Sequence, residues 1–291
     1  MTKKTLSTLA ALILTPVPAL FAGTTAPAKT VVEKAKAPFI TGDLGVVVTS
    51  QYISRGVVNE NQGFIAQPYL DLYFNMYEGS GFLNKIQLNL GLWSSLHSKK
   101  TGATPGTSLA SWYEFDWMPG ISFTFAKNFN FTFTYLDFDF VSGGGRAGNL
   151  NFNLAYDDTD LLGAWALHPH FTVLKSVIGN PVGVPGANGG WYYEVGIAPS
   201  HTYGPVTLTV PLTVGLGDGK FYGGDTYGYF SAGITAAVPL AFIPETFGKW
   251  TLTSGVTFYN QGGNAAAASA PGINNGGHNQ WVFSGGVGTT F

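Results

Sequence analysis

His168 and His170 stand two positions apart in this 291-residue sequence, and Glu194 follows them in the next alternating segment. Positions i and i+2 of a β-strand share a face, so the two imidazoles would lie one pleat apart, with the carboxylate on the neighbouring strand. Imidazole and carboxylate donors placed in this way could hold a metal ion. A pair of inward histidines bonded to Asn151, Asn153 or water needs fewer assumptions, so neither a metal nor a cofactor is expected. A second set is acidic: Glu114 with Asp116, and Asp137 with Asp139, each pair again spaced by two. Pairing through a short turn would bring these four into an acidic constriction that favours cations. The competing arrangement is a static network in which Arg55, Arg146, Lys99 or Lys100 neutralises them. Asp71 joins the charged residues expected on the same inner face, and Tyr69, Tyr73, Trp93, Tyr227, Tyr229 and Tyr259 the bulky ones. Catalysis finds little support. No serine–glycine nucleophile context accompanies the histidines, and Gly143–Arg146 follows a strand without opening a helix, so it is no phosphate loop.

The elements that must position these residues follow from a period of two. Ile86, Leu88, Leu90 and Leu92 alternate with Gln87, Asn89 and Gly91, and Val206, Leu208, Val210, Leu212 and Val214 with Thr207, Thr209, Pro211 and Thr213. From Tyr113 to Phe125 the odd positions are apolar or aromatic and the even ones include Glu114, Asp116, Ser122 and Thr124. Each segment therefore has one apolar and one polar or small face, the pattern of a strand. Twelve such segments are read at 43–54, 64–76, 84–96, 112–125, 130–140, 149–157, 165–175, 191–200, 206–216, 227–240, 249–259 and 280–291. The fifth requires a bulge near Tyr135–Leu136, because Phe131 and Phe133 are odd while Leu136, Phe138 and Phe140 are even. Most segments are longer than the roughly five or six residues typical of soluble strands, and they match the roughly nine to eleven that a tilted strand needs to cross a bilayer.

Connections alternate in length: His97–Ser111, Ser176–Gly190 and Gln261–Asn279 are long, whereas Tyr77–Leu83, Ala126–Phe129 and His201–Pro205 are short. Short turns on one side and long loops on the other mark a bacterial outer-membrane barrel, and an even strand count returns both termini to the short-turn side. The expected fold is all-β, an up-and-down antiparallel transmembrane barrel of about twelve strands over residues 42–291. Composition agrees. Charged residues make up 10% of the chain, against about 25% in an average soluble domain, while aromatics reach 15% and glycines number 40. No basic face is available for nucleic acid, and with no cysteine there is no disulfide framework. Residues 43–291 carry 9 basic and 15 acidic side chains, an acidic balance that leans towards cations.

Residues 1–22 read as a secretory signal peptide, with Lys3 and Lys4 ahead of an apolar stretch broken by Pro16 and Pro18. Residues 23–41, rich in Ala, Thr, Pro and Lys, read as a flexible periplasmic linker. No later stretch approaches the roughly 18–20 apolar residues of a membrane helix. Trp281, Phe283, Val287 and Phe291 share one parity in the last strand, with the terminal aromatics where interfacial girdles belong. A closing strand that ends on Phe291 resembles the C-terminal signal of outer-membrane barrels, which implies the barrel-assembly machinery and outer-membrane lipid as partners. Val47-Val48-Thr49-Ser50-Gln51-Tyr52-Ile53-Ser54-Arg55-Gly56, with Gln67-Pro68 and Gly91-Leu92-Trp93-Ser94-Ser95, resembles the opening of the TorF-type putative porin family of proteobacterial outer-membrane proteins. The resemblance covers residues 46–96 and implies a porin-like barrel in the cell outer membrane of a Gram-negative bacterium, with no substrate. The expected function is passive transport of small hydrophilic solutes. The alternatives are a non-conducting barrel acting through its long loops and, more weakly, a membrane-embedded hydrolase; no enzymatic activity is expected.

Overall fold

The computed structural model describes residues 38–99, 111–141, 145–179, 189–268 and 277–291. The leader expected at 1–22 and most of the linker expected at 23–41 lie outside the described residues. In chain order the strands are β1 (Ile40–Thr49), β2 (Tyr52–Ser54), β3 (Val57–Glu60), β4 (Ile65–Glu78), β5 (Leu83–His97), β6 (Trp112–Phe125), β7 (Phe129–Phe140) and β8 (Gly145–Tyr156). There follow β9 (His170–Ile178), β10 (Trp191–Ile197), β11 (Ser200–Tyr203), β12 (Val206–Thr209), β13 (Leu212–Gly217), β14 (Tyr227–Pro239), β15 (Lys249–Gln261) and β16 (Asn279–Thr290). Two short helices, α1 (Thr159–Leu162) and α2 (Gly263–Ala268), sit in connections, and no described helix is long and apolar enough to cross a membrane.

Fourteen of the strands form one antiparallel sheet that closes on itself through β14–β15, β15–β16 and β16–β1. They make twelve wall strands, because β10 continues into β11 and β12 into β13. The interruptions fall at Pro199 and Pro211, which have no amide hydrogen for the ladder. Their carbonyls still accept from Val210 and Gly233, at 2.9 Å each, so the wall stays paired. Closure is completed by Phe291 and Gly42, which exchange two backbone hydrogen bonds of 2.9 and 3.0 Å. A side chain at position 42 would collide with the Phe291 ring, which lies over that glycine.

The distribution of burial inverts that of a water-soluble domain. Leu88, Phe171, Ile234, Leu252, Trp281 and Phe283 are exposed on the outer face, whereas Thr132, Thr134, Asn149, Asn153, Thr207 and Thr253 are buried inside. Apolar side chains left outside a closed barrel require an apolar solvent, so this is a membrane barrel of the outer-membrane type. All twelve segments read from the period of two are present. Their boundaries differ most at the first and seventh, which end at Thr49 and begin at His170. The bulge expected near Tyr135–Leu136 is absent: the β6–β7 register runs unshifted from Phe115↔Asp139 to Phe125↔Phe129. The even positions of β7 simply stay inside, and Leu136 and Phe138 are apolar residues of the interior.

Candidate functional site in the barrel lumen

Between β1 and β4 the chain leaves the wall, and β2 and β3 form a separate hairpin folded into the lumen. Its turn is Ser54-Arg55-Gly56-Val57, with φ of 46° at Arg55 and 82° at Gly56. Two successive positive φ values give the tight primed turn that suits a twisted hairpin. Glycine adopts the conformation freely; arginine does so at a cost of roughly 1–2 kcal/mol. The surroundings hold it there. Ile53, Val57 and Val58 are fully buried, the Tyr52 hydroxyl donates to Glu114 at 2.8 Å, and the Tyr52 ring packs on Trp93. The Tyr222 hydroxyl donates to the Arg55 carbonyl at 2.9 Å, and the Gln261 amide donates to the Gly56 carbonyl. Phe221, Tyr222 and, on α2, Ala265 and Ala266 complete the packing. Outside the wall strands, burial holds the Tyr222 phenol well above its ordinary value.

Arg55 itself lies under this cover, 5% exposed. Its guanidinium stands 5.3 Å from the Phe138 ring centroid and 5.8 Å from that of Tyr192. Glu114 and Asp116, on one face of β6, both lie within its field, and its Nη1 has no hydrogen-bond partner among the described residues. Glu194 accepts from both the Tyr192 and Tyr229 hydroxyls, the latter at 2.8 Å, and the two hydroxyls are 3.0 Å apart. Beside the hairpin, the Ser95 hydroxyl lies 2.8 Å from His97 Nε2, and Glu60 lies 3.8 Å from His97 Nδ1. That order of groups mimics a nucleophile, base and acid. However, 3.8 Å exceeds a hydrogen bond, all three side chains are buried, and Tyr113 stacks on the imidazole. Glu60 instead accepts from the amides of Asn61 and Gln62, fixing the hairpin's return to the wall.

Farther along the lumen the wall is lined by hydroxyl and amide side chains. Asn89 donates to Ser122, Ser122 contacts Thr132, and Asn153 donates to Thr172. Asp43 and Asp71 face each other across β1 and β4, and the Tyr73 hydroxyl donates to Asp43 at 3.1 Å.

The structure thus brings Arg55, Asp71, Trp93, Glu114, Asp116, His170, Glu194 and Tyr229 to the inside of the barrel. Several expected inward residues are elsewhere. Asp137 and Asp139 point outward, because the continuous β6–β7 register pairs them with Trp117 and Phe115 of the outer face. There Arg146 forms a two-pronged ion pair with Asp137, so the four-carboxylate constriction does not form. Tyr227 is also outward: a register shift beside Leu216 turns it to the surface, where its hydroxyl meets Asn260. His168 is not in a strand at all. It occupies the connection between β8 and β9 with φ of 48°, near Asp157 and Asp158, and so shares no pleat with His170. The His170 ring lies against Gly196, and it is Thr172 that pairs with Glu194.

Asp157, Asp158 and His168 offer ligand atoms within 4.8 Å of one another. Asp158 already accepts from the amides of Leu167 and His168 at 2.9–3.0 Å, and Asp157 from Thr159. Burial pushes the Asp158 carboxyl up, but the amides of Leu167 and His168 outweigh it and leave the group below the usual carboxylate range. Sequence reasoning passed over Asp43, Glu60 and His97. Asp43 shares its parity with Gly45 and Val47, and Val47 is likewise buried inside.

No family model matches the chain, and no curated protein does. Solved structures do resemble it as folds. An outer-membrane channel from Pseudomonas putida F1 is 11% identical over 87% of this chain and 95% of that one, with a TM-score of 0.47. Outer membrane phospholipase A from Escherichia coli is 14% identical over 88% and 94%, with a TM-score of 0.46. The NanC porin is 10% identical over 85% and 98%, with a TM-score of 0.42.

Proposed function

We propose that this chain is an outer-membrane channel for passive movement of small hydrophilic solutes, leaning towards cations, with the inward hairpin as its outer closure. One observation carries the reading: the lumen is hydroxyl- and amide-lined and acidic. Asp43, Glu60, Asp71, Glu114, Asp116 and Glu194 are all buried inside, against Arg55 as the buried lumenal arginine. A wall of twelve strands, spaced about 4.8 Å and tilted about 40°, has a backbone radius of about 12 Å, wide enough for a water-filled path once the hairpin withdraws. Carboxylate-lined paths favour cations by field strength alone. On this reading the leader exports the chain, the Phe291 strand is recognised by the barrel-assembly machinery, and the barrel has no enzymatic role.

The filled outer half supports a second reading, a non-conducting barrel that acts through its surface loops. Planar-bilayer recordings of refolded protein, with and without residues 52–60, separate the two. A channel gives cation-selective steps that become frequent or permanent when the hairpin is removed. Silence of both proteins would support the non-conducting barrel, and a cation-to-anion permeability ratio below one would overturn the cation preference.

A further inference from the structure

Asp43 lies about 20 Å along β1 from its hairpin end, at about 3.3 Å per residue, opposite Asp71 on β4, and nothing described neutralises either. They are direct cross-strand partners on the inner face, each 5% exposed. Like charges directly opposite each other in an antiparallel pair repel, and taking both from water adds a desolvation cost. The ion pairs among the described residues leave both carboxylates out. Lys249, which the register places two strands from Asp43 across Thr290, makes no ion pair with it.

The site is incomplete in a particular way. Among the described residues, Asp71 Oδ1 is buried without a hydrogen-bond partner, and so is the Tyr69 hydroxyl, two residues along the same face. Asp43 is oriented by the Tyr73 hydroxyl. Tyr69 is set in place by glycines: a side chain at Gly45 or Gly288 would strike its hydroxyl oxygen. The polar groups nearest this cross-strand pair on the inner face are oxygens, two carboxylates and two phenols, with neither sulfur nor imidazole among them. Such a set suits a hard cation, and its irregular, incomplete donor set suits Ca²⁺ better than the octahedron that Mg²⁺ demands.

We infer that Asp43 and Asp71, with the Tyr69 and Tyr73 hydroxyls, form a lumenal binding site for a hard divalent cation, with Ca²⁺ the favoured ion. The inference deepens the channel reading by naming an occupant of the lumen, and it is tested without conduction. Calcium binding to full-length refolded protein in detergent is measured by equilibrium dialysis at pH 8, with the heat-dependent gel shift as the check on folding. One Ca²⁺ per chain is expected, lost in Asp71→Asn and in Asp43→Asn. Tyr73→Phe, which keeps both carboxylates and removes the hydroxyl that orients Asp43 and belongs to the donor set, should weaken binding about 10-fold or more. Wild type binding no more Ca²⁺ than Asp71→Asn overturns the site. So does an infrared carboxylic-acid band at pH 8 that Asp71→Asn abolishes, because the pair then holds a proton in place of a metal. A silent bilayer would count against the channel and leave this result standing.

Discussion

Replacing Arg55 by methionine should release the hairpin while leaving the barrel intact. Methionine keeps most of the stem's length and apolar contact but removes the charge. The guanidinium faces two aromatic rings at 5.3 and 5.8 Å in a buried setting, where each desolvated cation–π contact is worth about 1–2 kcal/mol. It also lies in the field of Glu114 and Asp116, although no ion pair joins it to either among the described residues. The two ring contacts set the scale, about 2–4 kcal/mol together. At 1.4 kcal/mol per tenfold, the withdrawn population should rise about 30- to 700-fold. Hydrogen exchange of the Ile53, Val57 and Val58 amides in detergent micelles measures it directly, alongside opening frequency in bilayers. Arg55→Lys, which keeps the charge but loses the planar face that stacks on the rings, should fall between the two. If Arg55→Met changes exchange by less than about tenfold, under 1.4 kcal/mol, the hairpin is held by Ile53, Val57, Val58 and the Tyr222 and Gln261 bonds, and Arg55 is not its latch.

Gly56→Val should have a similar outcome by a different route: its φ of 82° disfavours a branched residue, and the new Cβ would sit 2.9 Å from Tyr229. Protease cleavage within 52–60 should appear in that variant and be absent from wild type. Glu194→Gln keeps an acceptor but weakens the Tyr192 and Tyr229 bonds; a loss of about 1–3 kcal/mol is expected, read as a lower melting temperature for the gel-shifted band. Asp158→Asn should destabilise by about 1–2 kcal/mol through the weaker bonds from Leu167 and His168. Because the folded carboxyl of Asp158 lies below its unfolded value, its contribution is complete above about pH 4. It fades as pH falls through the folded value, so wild type and Asp158→Asn should converge in acid. A gap that persists at low pH would refute that assignment.

The wall of the barrel was legible because it depends on parity alone. Leu88 against Asn89, or Leu208 against Thr209, assigns each residue to lipid or lumen with no knowledge of its partner. Where faces are mixed, parity misleads. In β7 both faces are apolar, Phe131 and Phe133 outside and Leu136 and Phe138 inside, so the two aspartates looked lumenal and a bulge was required to keep the phenylalanines out. The register instead tolerates Phe138 inside, because Arg55 offers its ring a cation. Asp137 is tolerated outside because Arg146, on the next strand, pairs with it there. Both compensations come from residues distant in sequence or on the far side of a turn, and neither carries a local signal.

The hairpin was hidden for a related reason. Tyr52, Ile53 and Ser54 continue the alternation of β1, so the strand reads through to Ser54. Only Arg55-Gly56 marks a turn, and a non-glycine residue at positive φ leaves no trace in composition. The strain at Arg55 is itself the more informative sign. A surface loop of fifteen residues has no need of arginine in a left-handed conformation; a buried turn whose one cation must face two rings and two carboxylates does. On the proposed channel reading, that placement ties release of the hairpin to one buried charge in addition to its hydrogen bonds and apolar contacts, whereas the ladders of the wall strands do not depend on that charge.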